Sequence, residues 1–142
     1  MKTLVQCIKA LGVAIGTLAI TVIASYPMVA FYAYIINPGH DRKFYEDAAQ
    51  WIAPWSSYLL GPIVFFGFNY WLSKRTSKRN AMAFAIMSIS FYIIIEIALL
   101  SAMSIDIQEK LFNLSGIAWL SVKLVGALLG AYLGQRSVKT AN

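Results

Sequence analysis

Two charges stand inside apolar sequence, where charges are rare. Glu96 lies in the run AMAFAIMSISFYIIIEIALLSAM, residues 81–103, and Lys123 lies near the middle of GIAWLSVKLVGALLGAYL, residues 116–133. At the centre of a membrane span an ionisable side chain costs at least about 2.5 kcal/mol, so it faces protein or water and has a partner. Two chemistries are open to such a pair. Either the acid and the base neutralise each other and fix the register of two helices, or one of them takes up a proton, an ion or a polar substrate during a conformational cycle. Tyr92 precedes Glu96 by four residues, which puts its hydroxyl on the same helix face, within reach of the carboxylate or of a substrate.

A second constellation is HDRKFYEDAAQ, residues 40–50, where the only histidine, His40, stands close to Asp41, Glu46 and Asp47. A metal site needs more ligands at defined spacing than this stretch offers. It reads as a solvated, mixed-charge connection, and no metal or cofactor is expected. The one cysteine, Cys7, excludes an intramolecular disulfide and reads as a reduced thiol near the cytoplasmic face.

The elements that must hold Glu96 and Lys123 are apolar helices. Of the 142 residues, 59% are hydrophobic and 13% charged, against about 45–50% and about 25% in soluble domains. About 20 residues at roughly 1.5 Å each cross a hydrocarbon core of roughly 30 Å. Four runs meet that length, at about residues 10–36, 52–72, 81–103 and 116–133. The first could imitate a secretory signal, with Lys2 and Lys9 ahead of it and small residues around Ala24, but its apolar character continues to Ile36. Pro27 and the Gly61-Pro62 pair interrupt the first and second runs, so kinks are expected near Pro27 and Pro62 because proline removes a backbone donor and clashes one turn back. Asn37-Pro38-Gly39 ends the first span as turn residues should. Aromatic residues gather at Tyr45, Trp51, Trp55 and Tyr58 and again at Tyr70 and Trp71, which reads as two interfacial belts.

Small residues mark helix-packing faces. Gly12 and Gly16 form one G-x-x-x-G, and Gly126, Gly130 and Gly134 form a double repeat that lets another helix approach closely. Steps of 3, 7 and 11 residues place those three glycines within about 60° of Lys123, so the charge shares the glycine face. Spans three and four are neighbours around the connection from Ser104 to Ser115. Glu96 and Lys123 each lie eight residues inside their end of it, at a similar depth of about 12 Å. Tyr26, Pro27 and Pro62 reach the same outer-middle layer by the same counting.

Net charge is +6, a balance that in a soluble chain suggests nucleic acid. Here the charges sit at span ends instead, and no nucleic-acid partner is expected. The N-terminus, middle connection and tail hold Lys2, Lys9, Lys74, Arg75, Lys78, Arg79, Arg136 and Lys139; the other connections hold Arg42, Lys43 and Lys110. By the positive-inside rule both termini are cytoplasmic.

These readings predict an all-α integral membrane protein, one domain of four transmembrane helices in a bacterial inner membrane. The expected function is a non-enzymatic oligomeric or accessory component of a membrane complex, with membrane lipids and either further copies or another membrane protein as partners. The alternative is a small transporter or channel subunit that moves a proton, ion or small polar solute past Glu96 and Lys123, with Tyr26 and Tyr92 on a polar path. An enzyme ranks third, since no nucleophile elbow, metal-spaced histidine pair, C-x-x-C or phosphate-binding glycine loop occurs.

Overall fold

A computed structural model describes residues 2–74, 78–103, 106–111 and 113–139. Arg75 and Ser104 lie outside the described residues, as do the side chains of Lys2, Lys78, Arg79, Glu109, Lys110 and Lys139. The described chain is 93% helical. Its elements are α1 (Lys2–Phe31), a π-helical turn (Tyr32–Ile36), α2 (Arg42–Ser73), α3 (Lys78–Ala102), a short α4 (Ile107–Leu111) and α5 (Leu114–Lys139). Four helices, α1 with its π-helical extension, α2, α3 and α5, are each long and apolar enough to cross a membrane.

Their outer faces carry large apolar side chains. Ile8, Ile23, Ile63 and Ile94 are each more than 60% exposed, a surface suited to lipid tails rather than water. Inside, the core is built largely from small residues. Ala10, Ala14, Ala81, Ala85, Ala127 and Ala131 are buried together with Val13, Phe65, Phe84, Ile89 and Tyr92. Small side chains at the interfaces bring helix axes together, and in lipid the resulting van der Waals contact drives association.

The sequence places a solvated connection over residues 40–50, but the structure begins α2 at Arg42. Asp41 caps it, with Oδ1 accepting from the Phe44 amide at 3.0 Å, and Arg42 pairs with Glu46 one turn on at 2.7 Å. These polar bonds support helical turns that no apolar run announces. Gly39, at φ 90°, lets the chain reverse between α1 and α2. His40 belongs to that turn. Its ring stacks on Phe44 at 4.1 Å and its Nε2 lies 3.2 Å from Asn37 Oδ1; among the described residues no group of three metal-ligating side chains forms.

Three contacts between helices set the register. Cys7 Sγ donates to Met87 Sδ at 3.6 Å, joining α1 to α3, and Ser56 Oγ donates to the Thr21 carbonyl at 2.8 Å, joining α2 to α1. On α5 the glycine stripe lies against the backbone of α2. A Cβ on Gly126 would stand 2.5 Å from the Pro62 carbonyl oxygen, and Cβ atoms on Gly130 and Gly134 would strike the carbonyls of Phe66 and Tyr70. The four-residue step recurs on both helices in the same direction, so α2 and α5 run parallel with their backbones in contact. This close-packing face is therefore occupied within the chain.

Candidate functional site: a buried lysine and its hydroxyl partners

Lys123 is 2% exposed. Its Nζ donates to Tyr92 Oη at 2.7 Å and to Ser57 Oγ at 2.9 Å, and the two hydroxyls lie 3.1 Å apart. Helices α5, α3 and α2 thus each contribute one corner of a triangle. The Lys123 ammonium also stands 4.5 Å from the centroid of the Tyr92 ring, a cation–π distance. Tyr92 is itself held edge-on by Phe65, with ring centroids 5.3 Å apart.

The lysine stem needs room where α5 meets α2, and Gly61 provides it. A Cβ there would stand 2.9 Å from Lys123 Cε. Read as an interruption of a span, Gly61 is in the structure a notch that admits a charged side chain to the bundle.

Glu96 lies one turn beyond Tyr92 on α3 and is partly buried. It is in electrostatic contact with Lys123 and Tyr92. Among the described residues no ion pair within 4.0 Å joins it to Lys123. Its Oε2 is buried and has no hydrogen-bond partner. The structure thus brings both charges and Tyr92 into one cluster, while the short bonds of the ammonium go to hydroxyls. Matched depth indicated the neighbourhood; depth counting carries no information on which polar atoms meet.

Proton bookkeeping shows what the triangle can do. The ammonium donates to both hydroxyls, and a hydroxyl has a single proton to give. When Ser57 donates to Tyr92, the Tyr92 proton is free to turn toward Glu96. When Tyr92 donates to Ser57, the serine proton is the free one. The cluster therefore has two internal arrangements that differ in where the spare donor points.

Tyr26 does not join it. This side chain is 72% exposed and lines a separate cleft of about 720 Å³ with His40 and Tyr45. Thr21 is one α1 residue that meets α2, and Tyr26, five residues further on and about 140° round the helix from it, faces Ala49 and Ala53 of α2 across that cleft instead. The packing glycines also separate. Gly16 meets the Phe68 ring at 3.4 Å, whereas a Cβ on Gly12 would have nothing within 4 Å. Ser57 escapes a reading of the sequence because a serine in an apolar span carries no mark of its partner. Asn69, fully buried in α2 with Oδ1 unpartnered, escapes it for the same reason.

Next to Ser57 an aromatic group packs between α2 and α5. Tyr58 stacks on Trp119 with centroids 4.7 Å apart and planes 3° from parallel, and Trp55 stands edge-on to both. No protein-family model, curated protein or solved structure matches the chain.

Proposed function

We propose that the chain is a small transporter or channel subunit of a bacterial inner membrane, moving a proton, an ion or a small polar solute past the cluster of Lys123, Tyr92, Ser57 and Glu96. The observation that carries this reading is the buried Glu96 Oε2 without a hydrogen-bond partner beside a buried ammonium whose short bonds go to hydroxyls. A pair retained only to fix helix register would close on itself, because a buried charge or acceptor left unpaired costs stability. An open acceptor next to reorientable hydroxyls suits a species that arrives and leaves.

In this reading both termini are cytoplasmic, following the excess of Lys and Arg at the N-terminus, middle connection and tail. The helices bend at Pro27 and Pro62, which lie inside α1 and α2. Association with further copies completes the route, since four helices leave little room for one.

The test is electrical. Purified protein in proteoliposomes on a solid-supported membrane is given concentration jumps of protons, sodium, potassium and chloride, together with its Glu96→Gln and Lys123→Met variants. A current in the wild type that both variants abolish is the expected result. Equal currents in all three proteins, or none above empty liposomes, would discard the reading.

A second reading, an accessory component of a membrane complex, is favoured by Gly12. It is exposed on α1 with open space at its Cβ position, where a helix of another protein could approach closely. Native mass in mild detergent separates the two readings, because a fixed complex with an unrelated polypeptide supports the accessory role.

A further inference from the structure

Three of the four tryptophans, Trp51, Trp55 and Trp119, line one cleft between α2 and α5, with Tyr58 beside them. An interfacial belt spreads its aromatic residues around the circumference of a bundle. Here they converge from two helices on a space of about 620 Å³, within the usual size range of small-ligand sites. Trp51 and Trp55 are 53% and 46% exposed, so ring surface remains for a guest.

The charge that lines this cleft has one sign. Asp47 lines it, and among the described residues no lysine or arginine does. The neighbouring Arg42 is engaged by Glu46 at 2.7 Å, and among the described residues no ion pair within 4.0 Å joins Asp47 to Lys43, one turn before it on α2. Indole and phenol faces are negative and attract cations, tryptophan most strongly. A carboxylate at the rim adds long-range attraction that brings a cation to the rings.

We infer that this cleft is a binding site for a monovalent organic cation, an ammonium or phosphonium group bearing apolar substituents. The rings hold its apolar surface and its diffuse charge together, and Asp47 sets the sign of charge admitted. Anions of the same shape are rejected by Asp47 and by the ring faces. This site is distinct from the buried lysine cluster, and capture here does not require passage through it.

The three tryptophans give the experiment its signal. Tetraphenylphosphonium and tetraphenylborate have the same shape and opposite charge. Each is titrated into the detergent-solubilised protein while tryptophan fluorescence is recorded, with protein-free micelles as the partition control. Saturable binding of the phosphonium at one site per chain, without saturable binding of the borate, is expected. Trp119→Ala should weaken it about tenfold, the scale of a partly desolvated cation–π contact. Trp119→Phe, which keeps a ring, should weaken it less, and the exposed Asp47→Asn should weaken it without disturbing the fold. Equal binding of the two ions, or affinity unchanged in both Trp119→Ala and Asp47→Asn, would overturn the inference and leave the aromatic residues as an interfacial belt. Glu96→Gln and Lys123→Met proteins that still bind the phosphonium but carry no current would show capture intact and passage lost; binding absent from a wild type that carries current would overturn this inference alone.

Discussion

Gly61 on α2 and Lys123 on α5 are shaped to each other: a single methyl group on the glycine would stand 2.9 Å from the lysine Cε. The ammonium reaches Ser57 and Tyr92 only because the stem passes over that missing side chain.

Gly61→Ala should therefore displace the ammonium from its hydroxyls. Overpacking of this kind costs about 1–3 kcal/mol, read as a lower midpoint of thermal unfolding in detergent. Adding Lys123→Met should recover part of the loss, because a shorter, uncharged side chain yields to the methyl group. A double variant that loses the sum of both single effects would separate Gly61 from Lys123 energetically.

The glycine stripe should rank by what it touches. Gly130→Ala and Gly134→Ala push a methyl group into backbone, at the carbonyls of Phe66 and Tyr70, where no rotamer change relieves the clash, whereas Gly12→Ala meets open space. The first two are expected to cost at least about 2 kcal/mol and the third to stay within about 0.5 kcal/mol. Thermal unfolding of the three variants, side by side, checks the order.

Tyr92→Phe removes one acceptor from a buried ammonium, a loss of about 1–3 kcal/mol. In double-mutant cycles the coupling of Lys123 to Tyr92 should exceed its coupling to Glu96, because the first is a 2.7 Å hydrogen bond and the second acts without a short contact. Couplings of this class run from about 0.5 to 3 kcal/mol. The reverse order would mean that the two charges bond directly in solution.

Asp41→Ala should fray the start of α2 by about 0.5–2 kcal/mol. The loss is local, so amide hydrogen exchange at Lys43, Phe44 and Tyr45 should quicken while exchange near Phe65 stays slow.

Much of this architecture is legible without coordinates, since apolar runs of membrane length need no partner to be recognised. The glycine face of α5 is legible too, because helical phase alone puts Gly126, Gly130 and Gly134 beside Lys123. What helical phase cannot supply is the identity of the facing helix. Chain order makes α3 the neighbour of α5, yet the stripe lies on α2, where Pro62, Phe66 and Tyr70 repeat its spacing. The start of α2 is hidden for another reason. Its first turns are held by a cap and an ion pair rather than by apolar burial, and a hydropathy reading sees only polar sequence. Ser57 is invisible for a third reason, as its role depends on a lysine 66 residues away.

The contact between the α2 and α5 backbones also decides where this molecule can yield. Side chains that interdigitate can swap rotamers and let helices slide, but a stripe of glycine on carbonyl oxygens has no rotamers to swap. α2 and α5 therefore move as one stave, carrying Ser57 and Lys123 at fixed separation. Tyr92 and Glu96 ride on α3, across the seam between α3 and that pair. Any shear along that seam lengthens the Lys123–Tyr92 bond first, making the phenol the latch of the bundle.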